Sequence, residues 1–374
     1  MINTSRLVKT FSELIKVDSL TFYEERVAEY IANKLGELDI DVCIDDAGER
    51  VGGDTGNVIA HLPGNTSAPT LLFNAHLDTV EPGIGIEPQI KDGIIRSKGD
   101  TILGADDKAG VAIILEMLYV LKASGLPHGD IEVVFTIAEE KGLFGSKNLD
   151  LSRFKAKFGY ILDCEGPPGR IVTRAPFQDS IKALFKGKSA HAGICPERGI
   201  NAIQAAAIAI SRMNLGRIDD ETTANIGVIK GGLAANIVPE ETSIEGEARS
   251  LSLQKLEAQV RHMESCLTEG GKTVGAKLDL EVSRVYDGFT LSSEDEVVKI
   301  AMDAARAVGI EPKLIATGGG SDANVFNKAG ISTVNLSVGA VNVHSTNEQI
   351  AIADLEVVAN MTLEIVRLVS RGSS

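Results

Sequence analysis

Three stretches of the sequence decide the fold: residues 70–73 (TLLF), 111–121 (VAIILEMLYVL) and 131–137 (IEVVFTI). The first and third are short, continuous apolar runs, which are typical of strands buried on both faces of a sheet. The middle stretch is apolar around its whole circumference except for Glu116, so we expect a helix buried against that sheet. A further run at 158–162 (FGYIL) predicts another buried strand. The order strand, helix, strand predicts a layered α/β domain.

The sequence pattern changes near Phe177. From residue 177 to residue 287, strand-like and helix-like stretches follow in the order β-α-β-β-α-β, which is a split βαβ unit. The patterns of buried strands and amphipathic helices then resume. We therefore expect a discontinuous α/β domain at residues 1–176 and 288–374, interrupted by an inserted α+β domain at 177–287. The last residues, 371–374, are expected to fray.

Two helix starts carry the pattern of a capping box, in which two side chains satisfy the free backbone N–H groups of the first turn. Thr21 and Glu24 precede apolar residues at helical spacing, and Ser293 and Glu296 precede a second helical pattern. We expect both pairs to cap their own helices.

Composition excludes several classes of protein. The chain has 374 residues and a formal net charge of −15, contains no Trp, and has only 4% aromatic residues. A nucleic-acid partner is not expected, because such a surface needs basic residues and aromatic stacking platforms. A membrane partner is not expected either, since no apolar run reaches the ~18 residues of a membrane span. The N-terminus lacks a signal-peptide pattern. Four scattered cysteines without a CxxC motif indicate buried, reduced thiols and a cytoplasmic location.

Histidine and carboxylate residues recur where strand runs end or helices begin. Taken singly, each has an ordinary explanation: a His-x-Asp sequence often ends a surface strand, an Asp pair often caps a helix, and a Glu pair is often solvated. However, α/β sheets place ligands at the carboxyl ends of their strands, so we expect most of these residues to converge. They are His76 and Asp78, Asp106 and Asp107, Glu139 and Glu140, Asp163, and His344.

Imidazole and carboxylate ligands without thiolates suit zinc, with manganese or cobalt as alternatives. The number of candidates exceeds the needs of one tetrahedral ion and suggests two ions ~3.5–4 Å apart that share a carboxylate. Neighbouring strand residues point to opposite faces, so Glu139 and Glu140 can act together only if the chain turns there. Gly142 and Gly145 favour such a turn. One carboxylate could then bind metal while the other acts as a general base.

At these residues the sequence resembles the M20 family of di-zinc metallopeptidases, and within it the peptidase T (tripeptide aminopeptidase) branch. The motifs occur in the family's order along nearly the whole chain, including Val343-His344-Ser345-Thr346-Asn347-Glu348. The resemblance implies a di-zinc α/β/α domain with an inserted lid or dimerisation domain, and a homodimer could form through that insertion.

The resemblance also implies a role for each residue. Asp106 bridges the two ions, while Glu140 and Asp163 bind different ions. Asp78 orients a ligating histidine through its other ring nitrogen, and Glu139 is the general base. Asp107 follows the bridging residue at an unusual peptide turn. The implied metal ligands are His76, Asp106, Glu140, Asp163 and His344.

Four further residues are implied to contact substrate: His191, Asn236, Arg249 and Gly319. His191 lies in the run Gly187 to Gly193, which resembles a lid motif, although a loop histidine between glycines is an ordinary alternative. Asn236 could instead belong to a simple turn. Arg249 could bind a substrate carboxylate bidentately or be a solvated strand-end arginine. The Gly318–Asp322 run resembles a substrate loop and lacks the Lys-Ser/Thr of a phosphate-binding loop.

The function that follows is hydrolysis of peptide bonds in short peptides by water that two metal ions activate. Release of the N-terminal residue from tripeptides is the leading hypothesis. The alternatives are another M20 amidohydrolase (a carboxypeptidase, a dipeptidase or an N-acyl-amino-acid deacylase) and a non-catalytic metal-dependent binding protein.

Overall fold

The apolar runs form two sheet-based units in the computed structural model, which describes residues 1–372. The helices of these residues are α1 Thr4–Leu14, α2 Glu25–Gly36, α3 Ala47–Val51, α4 Ala105–Ser124, α5 Phe144–Lys147, α6 Ala202–Arg212, α7 Leu253–Val274, α8 Glu296–Ala307, α9 Asp322–Lys328 and α10 Ile352–Arg371. None of them combines the length and the apolar character needed to cross a membrane. Arg371 still belongs to α10, so the expected fraying does not begin there, and residues 373–374 lie outside the described chain.

The strands, numbered along the chain, are β1 Asp41–Ile44, β2 Val58–Leu62, β3 Leu71–His76, β4 Pro88–Lys91, β5 Ile94–Ser97, β6 Ile131–Thr136, β7 Phe158–Cys164, β8 Arg170–Ala175, β9 Phe177–Lys186, β10 Gly216–Arg217, β11 Thr222–Gly231, β12 Glu241–Ser250, β13 Lys277–Tyr286, β14 Phe289–Thr290, β15 Lys313–Ala316, β16 Ser332–Ser337, β17 Ala340–Val341 and β18 Gln349–Ala351.

The first unit comprises Met1–Thr173, Thr290–Ala316 and the described residues from Ser321 onward. Its large sheet has the order β1-β2-β6-β3-β7-β16-β8-β14, with β15 beside β8. Strands β6, β3, β7 and β16 run parallel to one another. Every residue of β3 and β6 is buried, as the continuous apolar runs predict. A small sheet of order β17-β18-β5-β4 completes this unit.

Helix α4 is the buried helix that the sequence predicts, and it packs on β3 and β7. Its glycine at 110 allows this close approach, because a Cβ there would lie 2.4 Å from the carbonyl oxygen of Leu162. The single charge of the apolar stretch, Glu116, is buried and accepts hydrogen bonds from Arg6 at 2.6 and 2.7 Å. The buried charge of Glu116 is therefore compensated by an arginine of α1.

The second unit comprises Arg174–Phe289 and Thr317–Gly320. Its antiparallel sheet has the order β10-β11-β12-β9-β13, and α6 and α7 pack on it. Asn201 caps α6 by accepting a hydrogen bond from the backbone N–H of Gln204 at 3.0 Å. The unit has its own apolar core, centred on residues such as Phe185 and Leu267. For comparison, the inserted domain is predicted from the sequence at 177–287.

Three local predictions are wrong. Neither capping box forms: α2 begins after Glu24 and α8 after Asp295, and neither N-cap side chain makes a capping hydrogen bond. Thr21 and Glu24 are instead used elsewhere in the first unit, as described below. The four cysteines are free, as expected, but only Cys266 is buried and Cys43 is exposed.

Candidate metal centre

Three adjacent parallel strands deliver the first site residues. His76 is the last residue of β3, Asp163 lies near the end of β7, and Glu139 follows three residues after the end of β6 at Thr136. The pairing order β6-β3-β7 places these strand ends side by side. The carboxyl ends of parallel strands meet at one edge of a sheet, so the predicted convergence follows from this topology.

The start of α4 presents two aspartates. Asp106 and Asp107 have non-helical backbone angles, and the peptide bond between them is cis. The carboxylate of Asp107 is engaged by backbone groups: Oδ2 accepts from the N–H of His76 at 3.1 Å, and Oδ1 from that of Gly110 at 3.2 Å. Asp107 therefore ties the start of the helix to the end of β3.

Asp106 lies between the two imidazoles. Its Oδ1 is 3.0 Å from Nε2 of His76, and its Oδ2 is 3.1 Å from Nε2 of His344. Each histidine has a second carboxylate neighbour: Nε2 of His76 is 3.6 Å from Asp163, and Nε2 of His344 is 2.8 Å from Glu140. All five predicted ligands are thus brought together, with one oxygen of Asp106 facing each histidine.

This donor set fits divalent metal ions. Single ligand atoms of His76, Asp106 and Glu140 lie within 4.8 Å of one another, and so do those of His76, Asp107 and Asp163. Ligand atoms that bind one tetrahedral ion at ~2.1 Å are roughly 3.4 Å apart, which is close to the distances between these side chains. Of the two aspartates in the second group, Asp107 already accepts from two backbone N–H groups, which favours Asp163 as the candidate ligand.

The pKa shifts of the site residues indicate that negative charges are crowded together in the cluster. Burial, followed by the charges of neighbouring carboxylates, raises the pKa values of Asp107, Glu139 and Asp163 well above the ordinary range. Hydrogen bonds to Asp106 and Glu140 raise the pKa of His344 to about 10. A cation inside this cluster would relieve the repulsion among the carboxylates and allow the histidines to be neutral ligands.

Asp78 organises the residues around it. The residue is fully buried, and its Oδ1 lies 3.4 Å from Nδ1 of His76, whose ring also contacts the Asp78 carbonyl oxygen at 2.9 Å. The same carboxylate accepts from the N–H groups of Glu139 and Glu140 at 2.9 and 3.2 Å, and from Oγ1 of Thr21 at 2.8 Å. The position predicted to orient His76 thus also holds the Glu-Glu turn.

Glu348 is a site residue to which the sequence pattern assigns no role. It is 2% exposed, and its two oxygens accept from the N–H groups of Leu103, Gly104 and Asp106 at 2.8, 2.7 and 3.0 Å. It therefore fixes the loop that presents Asp106. Its position four residues after His344 was the only sequence signal, and the partner loop lies more than 240 residues away.

Glu24 is a second residue whose place the sequence did not reveal. Its Oε1 accepts from the N–H of Ala138 at 3.0 Å, and its Oε2 is buried without a hydrogen-bond partner in the described chain. Burial, together with the charge of Asp78, raises the pKa of Glu24 to about 8. The capping-box pattern predicts that Glu24 binds the start of its own helix, whereas it binds the N–H of Ala138.

The four predicted substrate contacts all lie in the second unit. His191 is exposed, and the N–H of the next residue donates to the carbonyl of Asn236 at 2.9 Å, so these two loops are neighbours. The guanidinium of Arg249 already binds Glu247 bidentately, with Nε and Nη2 at 2.9 and 3.0 Å from the carboxylate oxygens. Gly319 donates to Oγ1 of Thr317 at 3.2 Å.

Comparisons with known proteins identify the family. The chain matches the model of peptidase family M20/M25/M40 over residues 72–368. It is 47% identical to aminopeptidase PepT of Bacillus cereus, with a TM-score of 0.90 and coverage of 98% of this chain and 99% of that one. It is 42% identical to a tripeptidase of Staphylococcus aureus, with a TM-score of 0.94 and coverage of 99% and 100%.

An uncharacterized protein of Bacillus subtilis is 44% identical over 98% of this chain and 99% of its own length. The resemblance predicted from the motifs and the α/β fold class are both confirmed. The family match spans the strands, the start of α4 and the loop of His344 that together assemble the histidine–carboxylate cluster, and the chain belongs to peptidase family M20/M25/M40.

Proposed function

We propose that this chain is a metal-dependent aminopeptidase that releases the N-terminal residue of tripeptides. Family membership and the similarity to an aminopeptidase and a tripeptidase over nearly the full length support this proposal. The observation that carries it is the position of Asp106, which offers one oxygen towards each of two histidines. A carboxylate in that position suits two metal ions better than one.

His76, Asp106 and Asp163 would hold one ion, and His344, Asp106 and Glu140 the other. Zinc is the expected ion, and manganese or cobalt would suit the same ligands. When bound, two such cations supply Lewis-acid polarisation of the scissile carbonyl and make water more acidic.

Glu139 supplies the proton transfers. It is 9% exposed, its backbone N–H is held by Asp78, and its carboxylate is not one of the five assigned ligands. Positive charge in the cluster favours its ionised form, which can take a proton from water. The protonated group can then deliver that proton to the departing amine, which returns Glu139 to its ionised form.

Glu139→Gln tests this assignment. General acid–base catalysis contributes about 10²–10⁴-fold, so we expect kcat on a tripeptide to fall by that factor. Metal content, measured by mass spectrometry of the purified protein, should stay near that of the wild type. Glu140→Gln is the matched control on the adjacent residue and should lose metal. Loss of metal in Glu139→Gln as well would show that Glu139 is a ligand and not the general base.

A panel of free tripeptides, dipeptides, N-acetylated tripeptides and N-acyl amino acids tests the substrate class. We expect free tripeptides to be cleaved fastest at the N-terminal bond. Preference for N-blocked substrates would favour the amidohydrolase alternative, and no turnover at saturating zinc, manganese or cobalt would favour a binding protein.

The second unit is proposed as the lid or dimerisation domain, with His191, Asn236, Arg249 and Gly319 in contact with substrate. For Arg249 this requires that a peptide carboxylate share or replace Glu247 at the guanidinium. We also propose a homodimer formed through this unit and a cytoplasmic location, for which the scattered, unpaired cysteines are the support. Analytical ultracentrifugation tests the dimer.

A further inference from the structure

Two buried carboxyl groups hold the turn that carries Glu139 and Glu140. Three consecutive backbone N–H groups point at them: that of Ala138 donates to Glu24 at 3.0 Å, that of Glu139 to Oδ1 of Asp78 at 2.9 Å, and that of Glu140 to Oδ2 of Asp78 at 3.2 Å. Strand β6 ends before this turn, so its ladder cannot hold these groups. The direction of both glutamates therefore depends on Glu24 and Asp78.

The turn needs such support because its backbone is unfavourable. Ala138 has a φ of +47°, in the left-handed region that residues other than glycine rarely adopt. A residue with a Cβ is strained in such a conformation and keeps it only where its surroundings hold it. The N–H of this residue is the one that Glu24 binds.

Glu24 is well placed to act as a fixed acceptor. It is fully buried and directly precedes α2, whose residues Val27 and Ile31 are fully buried in the core of the first unit. Three residues earlier, Thr21 donates its hydroxyl to the same Asp78 that holds Glu139 and Glu140. The short segment 21–24 thus contains one of the two carboxyl groups that hold the turn and donates a hydrogen bond to the other.

We propose that Glu24 is a positioning residue for peptide hydrolysis: by holding the Ala138 N–H, it sets the direction from which Glu139 transfers protons. Thr21 has the same function through Asp78. This inference rests on the proposed function, in which Glu139 is the general base.

Three variants in the metal-loaded, full-length protein test this inference. Glu24→Gln keeps an acceptor oxygen, and we expect a kcat on tripeptides close to that of the wild type. Glu24→Met has a similar volume but no acceptor, and misplacing a catalytic group by about 1 Å can cost 10²-fold in rate, so we expect kcat to fall about 10–100-fold with KM nearly unchanged. Thr21→Val should also lower kcat, and this variant tests the inference if Glu24→Met does not fold.

Hydrogen exchange gives a readout that does not need activity. Backbone amides in the segment 137–143 should exchange faster in Glu24→Met than in the wild type or in Glu24→Gln. Arg6→Met, which breaks the ion pair between Arg6 of α1 and Glu116 of α4, is the control for general destabilisation and should leave kcat and this segment unchanged.

The outcomes separate the two hypotheses. If the wild type cleaves no tripeptide, the proposed function fails, while exchange still reports whether Glu24 holds the turn. If the wild type is active and the folded Glu24→Met or Thr21→Val variants match its kcat, the positioning role is wrong. The role is also wrong if Glu24→Gln is as impaired as Glu24→Met, because the acceptor oxygen would then not be what matters.

Discussion

Replacing Arg6 by methionine should lower the free energy of unfolding by about 3 kcal/mol. The carboxylate of Glu116 is 1% exposed and accepts three hydrogen bonds: 2.6 and 2.7 Å from Arg6, and 2.7 Å from the backbone N–H of Asn3. Methionine keeps much of the packing volume but removes two of the three donors. The carboxylate is then left buried with a single partner.

The magnitude follows from the burial of the pair. Removing one partner of a buried ion pair costs about 3–5 kcal/mol, since the other charge stays in a poorly solvated place. The Arg6 side chain is 29% exposed, so water can reach the vacated position and the lower end of that range applies. The guanidinium also lies 3.5 Å from the ring centroid of Tyr119, a contact worth about 0.5–1 kcal/mol at a partly exposed site.

Urea unfolding followed by far-ultraviolet circular dichroism measures this loss, with an unchanged m-value as the sign that only stability has changed. The double variant Arg6→Met/Glu116→Leu removes both charges and should recover most of the stability, because apolar replacements of a buried pair are often neutral. Arg50→Met, which breaks an exposed pair with Asp46, is the control and should have little effect. A double variant as unstable as the sum of both single variants would refute the reasoning.

Two further predictions concern charge and metal. Burial lowers the pKa of Lys108 from 10.5 to about 7, so between these values the unfolded chain binds a proton that the folded chain does not. The free energy of unfolding should therefore rise with pH in this window by up to about 1.4 kcal/mol per pH unit. The urea midpoint of Lys108→Met should lack that rise. A midpoint that rises as steeply with pH in Lys108→Met as in the wild type would contradict this prediction. In His344→Ala, metal content should fall from two ions per chain to about one, because His76, Asp106 and Asp163 remain; two ions at unchanged affinity would refute the assignment.

Long-range contacts decided the features that the sequence reasoning missed. Thr21 and Glu24 have the residue types and spacing of a capping box, yet their partners lie 57 and 114 residues away, at Asp78 and Ala138. A local pattern cannot show that a distant carboxylate or amide will compete for the same side chain. Ser293 and Glu296 fail for a different reason, since the helix begins at Glu296, two residues later than the box requires.

The sequence alone determined that buried strands and a buried helix follow one another along the chain, because a segment that is buried on every side must be apolar on every side. It also placed His76, the Glu-Glu pair and Asp163 at strand ends, since those polar residues interrupt the apolar runs. Tertiary structure alone decided that each oxygen of Asp106 faces a different imidazole, and that Glu24 and Asp78 hold the turn of Glu139 and Glu140. These relations depend on the positions of atoms contributed by segments far apart in the chain, which no spacing of residue types encodes.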